Sequence, residues 1–74
     1  MSLSAVNPMP TTAPTKLHCE IIRRVVKGDT DATIASGEHI SERTVRRRIR
    51  EVMDHFGVNS RTELAAEAVR RNLI

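Results

Sequence analysis

Apolar residues recur from residue 15 onward with the spacing of helices that bury one side. The clearest stripe belongs to a third predicted helix and contains Val45, Ile49, Val52, Met53 and Phe56. These positions follow i, i+4, i+7, i+8 and i+11, so the side chains share one face of a helix. The first predicted helix has a similar stripe of Leu17, Ile21, Ile22 and Val25. We therefore expect an all-α fold whose core is almost entirely aliphatic.

Hydroxyl residues and glycines mark the expected helix ends. The side chains placed to cap the helix starts are Thr15, Thr30, Ser41 and Ser60. Gly28 and Gly57 suit left-handed ends of the first and third helices, and Gly37 lies at or near the end of the second. The expected helices span about 16–27, 31–37, 42–56 and 61–72. A tight turn over 38–40, with Ile40 facing inward, makes the second and third helices a helix-turn-helix unit.

The first 14 residues differ from the rest because they hold all three prolines, no charge and no periodic pattern. We expect residues 1–14 to be a flexible leader or linker, followed by one domain over residues 15–74. They lack the basic and apolar regions of a secretory signal. No apolar run approaches the roughly 18 residues that a membrane helix requires.

Basic charge is concentrated in two segments, although the net charge is only +3. Residues 15–28 contain four Lys or Arg residues against one acid, and residues 42–61 contain six Arg against three acids. The intervening residues 29–41 contain three acids and no Lys or Arg. A polyanion is the natural partner of such basic segments.

Catalytic and metal-binding chemistry is not indicated. Cys19 is the only cysteine, and its neighbours His18 and Glu20 would point in different directions on a helix. The sequence shows no nucleophile beside a base, no paired carboxylates and no glycine-rich phosphate loop. We therefore expect no metal, no cofactor and no enzymatic activity, and the single cysteine fits a reducing cytoplasm.

Four arginines follow the opposite side of the third helix, at i, i+3, i+4 and i+7: Arg43, Arg46, Arg47 and Arg50. A helix anchored by one face and carrying these side chains on the other fits the major groove, where Arg can donate two hydrogen bonds to guanine. The alternative is a solvated face on which Arg47 pairs with Glu51 and Arg50 with Asp54. The absence of Lys from this helix favours recognition by the planar guanidinium.

Two blocks at a fixed separation resemble the LuxR/GerE-type helix-turn-helix, the DNA-binding domain of many bacterial two-component and quorum-sensing regulators. The first block is Ile-Ser-Glu-Arg-Thr-Val at 40–45, and the second is Phe-Gly-Val-Asn-Ser-Arg at 56–61, followed by Glu63. The resemblance covers about residues 15–74 and implies a four-helix domain of the LuxR C-terminal effector type, without a sheet. The chain has Asp29, Ala32 and Glu38 where the family usually has apolar, basic and leucine residues.

The resemblance also implies roles for individual residues. With the third helix (about 42–56) in the major groove, base edges would be contacted by Arg46, Arg47 and Arg50. The expected contacts to the DNA backbone come from Arg43, Thr44, Arg48, Ser60 and Arg61. Arg48 lies beside the apolar stripe, so its guanidinium is expected to reach either the DNA backbone or an acid. The family dimerises through its last helix, where the candidate seam is Ala66, Val69 and Leu73.

The sequence thus predicts sequence-specific binding of double-stranded DNA by a cytoplasmic, nucleoid-associated transcription regulator. A homodimer is expected, with RNA polymerase as a further candidate partner. Three alternatives stay open: a sigma-factor-like promoter-binding module, a helical adaptor that docks acidic proteins on its arginine face, and the DNA-binding part of an enzyme such as a recombinase.

Overall fold

Four helices make up the computed structural model, which describes residues 15–73. They are α1 (Lys16–Lys27), α2 (Asp31–Glu38), α3 (Glu42–Phe56) and α4 (Arg61–Arg70). No strand occurs in residues 15–73, so the all-α, four-helix prediction is confirmed. The predicted leader, residues 1–14, lies outside the described residues.

All four helices begin at the predicted caps. The side-chain oxygens of Thr15, Thr30, Ser41 and Ser60 each accept a hydrogen bond from the backbone N–H three residues later. Glu63 stands three residues after the cap Ser60, at the capping-box position, but makes a different contact. Glu63 accepts from the backbone N–H of Asn59 at 2.7 Å rather than from that of the cap residue Ser60. The Glu63 side chain therefore fixes the chain one residue before the N-cap.

A residue in the left-handed region closes each of the four helices, directly after α1, α2 and α3 and two residues after the last residue of α4. These residues are Gly28 (φ 93°), His39 (φ 60°), Gly57 (φ 70°) and Asn72 (φ 59°). The next backbone N–H in each case donates to a carbonyl five residues earlier: Asp29 to Arg24, Ile40 to Ala35, Val58 to Met53 and Leu73 to Ala68. This arrangement satisfies carbonyls that the helix leaves free and turns the chain sharply.

Two helices end one or two residues away from their approximate predicted ends. Helix α2 continues through Gly37 and Glu38, and His39 takes the left-handed conformation that a glycine would adopt more readily. Helix α4 ends at Arg70, two residues before the predicted Asn72, which instead forms its left-handed turn. Both residues that follow, Ile40 and Leu73, are held against the core, so burial of their side chains selects these turns.

The core is aliphatic and contains the predicted stripes. Its buried members are Ile21, Ile22, Val25, Ile34, Ala35, Val45, Ile49, Val52, Leu64 and Ala68. Phe56 is only partly buried at its edge. Burial of one large aliphatic side chain contributes about 1.5–3 kcal/mol, so three such residues of α3 fix this helix firmly. Within residues 15–73, no helix is long and apolar enough to cross a membrane.

Candidate nucleic-acid interface

The arginine face of α3 is open because its opposite face is buried. Val45, Ile49 and Val52 pack into the core. The four side chains that the sequence placed on the other side are all exposed: Arg43, Arg46, Arg47 and Arg50. Neighbours three and four residues apart on a helix lie about 5–6 Å from each other at Cβ. The guanidinium groups therefore form one continuous basic surface, here called the arginine face.

Few acids neutralise this surface. Arg46 lies 3.8 Å from Glu42 and 3.9 Å from Asp31, both long for an ion pair, and its side chain is 58% exposed. Among residues 15–73, no carboxylate comes within salt-bridge distance of Arg43, Arg47 or Arg50. The pairs considered as an alternative, Arg47 with Glu51 and Arg50 with Asp54, are therefore not formed. These guanidinium groups are free to meet an anion or a base edge.

Arg48 points elsewhere and belongs to a link between α1 and α3. Its Nη1 donates to both carboxylate oxygens of Glu51, at 3.0 and 3.1 Å. The same carboxylate lies 2.8 Å from Nε2 of His18 on α1. Burial disfavours the charged form of Glu51, but the hydrogen bonds from His18 and Arg48 outweigh it and hold its pKa below the ordinary value. Of its two expected partners, Arg48 reaches an acid in this structure.

Arg61 is likewise engaged within the molecule. Its Nη1 donates to the Asp31 carboxylate at 2.6 Å, and its Nη2 donates to the backbone carbonyl of Asp29 at 2.9 Å. The Asp31 carboxylate thus lies between Arg61 of α4 and Arg46 of α3. Asp31 also lies in the first turn of α2, where an acid suits the helix dipole. Nothing local indicated its two arginine partners, one of them 30 residues away.

The two hydroxyl side chains expected at the DNA backbone have local partners. Ser60 accepts from the backbone N–H of Glu63 at 3.0 Å. Thr44 accepts from the Ser41 hydroxyl at 3.0 Å and is half-buried at the start of α3. A hydroxyl oxygen that accepts can still donate its own hydrogen. The predicted phosphate contacts of Thr44 and Ser60 are compatible with these bonds and stay predictions.

The candidate dimer seam on α4 is partly open. Ala66 is exposed, and Val69 is 56% exposed, the one large apolar side chain so exposed in residues 15–73. Leu73, the third candidate, packs against the core of its own chain. Two of the three predicted residues are thus presented to solvent, three positions apart on one helix face.

The end of α4 carries a cluster that sequence reasoning missed. Glu67 accepts hydrogen bonds from Arg70 and Arg71, which hold the Glu67 pKa below its ordinary value. The Arg71 guanidinium lies 4.6 Å from the centre of the Phe56 ring, within the range of a cation–π contact. The cluster therefore ties the end of α4 to the end of α3.

Metal ligands do not converge in the described part of the chain. No group of three or more His, Cys, Asp or Glu side chains there could hold a metal ion. Cys19 is a free, half-buried thiol.

A four-helix helix-turn-helix domain with an open arginine face on its third helix has the architecture of a DNA-binding domain. A family model described as "Bacterial regulatory proteins, luxR family" matches residues 15–68. The chain belongs to this family, whose helix-turn-helix domains bind DNA and regulate transcription, which confirms the predicted fold and the predicted class of function.

The chain is also similar to "Transcriptional regulatory protein DegU" from Brevibacillus brevis. The two are 25% identical over 60 residues, which make up 81% of this chain. The chain spans only 25% of the length of that relative. No solved structure matches the chain at a significant level.

Proposed function

We propose that the domain binds double-stranded DNA in a sequence-specific manner by placing α3 in the major groove. The observation that carries the proposal is the contrast between the two sides of α3. One side is fixed by three buried aliphatic residues, and the other presents exposed arginines with few intramolecular partners. A rigidly held helix with free guanidinium groups can donate bidentate hydrogen bonds to guanine without first breaking strong ion pairs.

Individual residues divide into base and backbone contacts. Arg46, Arg47 and Arg50 are proposed to contact base edges, where each good bidentate pair discriminates by about 1–3 kcal/mol. Arg43 and Thr44, at the start of α3, are proposed to contact phosphates and so set the position of the helix. The remaining backbone contacts proposed are Arg48, Ser60 and Arg61. Of these, Arg48 and Arg61 would either contact phosphates while they keep their present partners, or give up those partners for phosphates.

A homodimer through α4 completes the proposal. Val69 and Ala66 offer a small exposed apolar surface, with Leu73 at its edge. A two-fold dimer would place two α3 helices in successive major grooves and predicts inverted half-sites. The relative from Brevibacillus brevis is named a transcriptional regulatory protein, and we propose the same role for this protein. Regulation of this kind takes place at the nucleoid, with RNA polymerase as a further partner.

Selection of bound duplexes from a random pool, followed by anisotropy measurements, tests the proposal. Arg46→Ala or Arg50→Ala should weaken binding to the selected duplex by about 1–3 kcal/mol and relax its preference over random duplex. Arg23→Ala is a matched control, because Arg23 is an exposed arginine of α1 outside the arginine face and the proposed dimer seam, and it should leave the preference unchanged. Affinity should also fall steeply with salt, as phosphate contacts release counterions.

Two results would contradict the proposal. An equal loss on all sequences in Arg46→Ala and Arg50→Ala would exclude base readout. A flat salt titration, with retained binding to an acidic protein, would instead identify an adaptor that uses the arginine face for another partner.

A further inference from the structure

One carboxylate faces two arginines from different helices at the border of the arginine face. Asp31, in the first turn of α2, accepts from Arg61 of α4 at 2.6 Å and lies 3.9 Å from Arg46 of α3. Because both guanidinium groups approach the same carboxylate, Arg61 lies beside the arginine face rather than on a separate surface. Its side chain is 39% exposed, so solvent and ligands can reach it.

The position of Asp31 matters for a polyanion. In a helix-turn-helix complex the helix that precedes the major-groove helix crosses the DNA backbone, so the start of α2 would come close to phosphates. A carboxylate, like a phosphate, presents an arginine with negatively charged oxygens that can accept two hydrogen bonds from its guanidinium. Asp31 therefore occupies the Arg61 guanidinium with an internal anion and also repels an approaching phosphate.

We propose that Asp31 is a positioning residue that competes with DNA phosphates for Arg61 and thereby limits the overall affinity of the domain for DNA. This inference rests on the proposed function. In the free protein, Asp31 holds Arg61 at the edge of the arginine face. On DNA, a phosphate contact by Arg61 requires exchange of the carboxylate for the phosphate, so the net gain from that contact is small.

The fold does not depend on this carboxylate alone. Helix α2 is held by Ile34 and Ala35, both buried, and its N-cap is Thr30. Arg61 keeps a second acceptor, the backbone carbonyl of Asp29 at 2.9 Å. Replacement of Asp31 by Asn should therefore leave the helices in place, with the Arg61 guanidinium still oriented by Asp29 and free on one side.

The test compares DNA binding by the wild-type chain and Asp31→Asn on selected and random duplexes over a salt series. The release of Arg61 should raise affinity for both duplexes alike, roughly three- to tenfold at low salt. The plot of log affinity against log salt should steepen by up to about 0.9, the value for one full phosphate contact, because the wild type makes this contact only when Arg61 leaves Asp31. Asp31→Glu keeps the carboxylate and should bind like the wild type.

Two further variants separate the mechanism from simpler effects. Glu20→Gln makes the same change in net charge on α1, where Glu20 is 3.8 Å from Arg23, and should leave the salt slope unchanged. In an Arg61→Ala background, Asp31→Asn should produce a much smaller gain, because only the direct repulsion of phosphate is then removed. Thermal unfolding of each variant reports whether the fold is retained.

The inference is overturned by a lack of gain in Asp31→Asn, by an equal gain in Glu20→Gln, or by a gain of the same size without Arg61. A loss of affinity together with a lower melting temperature would assign Asp31 a structural role only. If the wild type shows no salt-sensitive DNA binding at all, the proposed function fails and this inference fails with it. If the wild type binds and Asp31→Asn shows no gain, the inference alone fails.

Discussion

Glu51 of α3 connects this helix to α1 through His18. His18 accepts the backbone N–H of Thr15 at its Nδ1, at 3.0 Å, so the neutral ring carries its hydrogen on Nε2. That nitrogen is 2.8 Å from Glu51 and donates to it. The assignment of the tautomer follows from the hydrogen-bond network. His18 thus caps its own helix with one nitrogen and binds α3 with the other.

Glu51→Gln should destabilise the domain at neutral pH and have less effect in acid. Hydrogen bonds from His18 and Arg48 outweigh the effect of burial and hold the Glu51 pKa below its ordinary value of 4.5. A carboxyl whose pKa is depressed by folding adds stability above its unfolded pKa, and that stability is lost as the pH falls through the folded value. Urea unfolding should therefore show a loss of at most about 1 kcal/mol at pH 7, shrinking below pH 4.5.

Asp54→Asn is the control on the same helix. Asp54 is exposed and has no ion-pair partner within the described residues. Its replacement should therefore leave the free energy of unfolding nearly unchanged at both neutral and acid pH. A Glu51→Gln effect of equal size at both pH values would show that the side chain matters for packing rather than for its charge.

At the scale of elements, the turn between α2 and α3 depends on a residue that is poorly suited to its backbone. His39 has φ 60°, a conformation that costs an ordinary side chain about 1–2 kcal/mol. The turn persists because Ile40 packs against the core and its N–H donates to the carbonyl of Ala35 at 3.0 Å. The geometry between α2 and α3 is therefore set by burial and hydrogen bonding against a local preference.

His39→Gly should stabilise the domain. Glycine removes the steric cost of the left-handed conformation, and part of that gain is offset by the larger entropy of a glycine in the unfolded chain. A net increase of about 0.5–1 kcal/mol in the free energy of unfolding is expected, measured by urea denaturation. His39→Val, with a branched Cβ, should have the opposite effect, and a neutral result for both would mean that the turn is not strained.

Local signals explain which helix boundaries could be predicted. The caps Thr15, Thr30, Ser41 and Ser60 act on a backbone N–H only three residues away, so their positions in the sequence sufficed. The left-handed His39 could not be predicted in the same way. A glycine two residues earlier offered the stronger local signal, whereas the actual turn is selected by tertiary burial of Ile40.

The candidate site was predictable to a similar extent. Periodicity placed four arginines on the exposed side of α3, as the structure has them. It could not assign the partners of Arg48 and Arg61, because a long side chain can reach several groups on its own helix and others that only the packing of helices brings near. Arg48 pairs with Glu51, three residues along the same helix, and Arg61 pairs with Asp31 of another helix. Arg61 had been expected at the DNA backbone and Arg48 at the DNA backbone or an acid, and the DNA contacts of both stay predictions.

At the scale of the whole molecule, α1 and α4 both pack against α3 and against each other. They hold α3 with its arginine face outward, while α4 leaves Val69 exposed. A monomer can place only one α3 helix in one half-site. It therefore lacks the added affinity that a dimer gains when its second α3 helix binds the second half-site. If α4 is the dimer seam, the apolar surface at Val69 should control binding to a full site without touching DNA itself.

Val69→Glu and Val69→Lys together test whether the apolar surface of α4 at Val69 is the dimer seam. Both variants place a charge on the seam, where an unpaired charge would be costly to bury, and both should abolish dimers in analytical ultracentrifugation with the selected duplex. Their charges are opposite, so direct electrostatic effects on DNA affinity should differ in sign, whereas the effect of lost dimerisation should be shared. Each should bind an isolated half-site nearly as the wild type does, apart from that charge effect. On the inverted repeat, both should lose at least tenfold in affinity. Unchanged stoichiometry on the full site would show that α4 is not the seam.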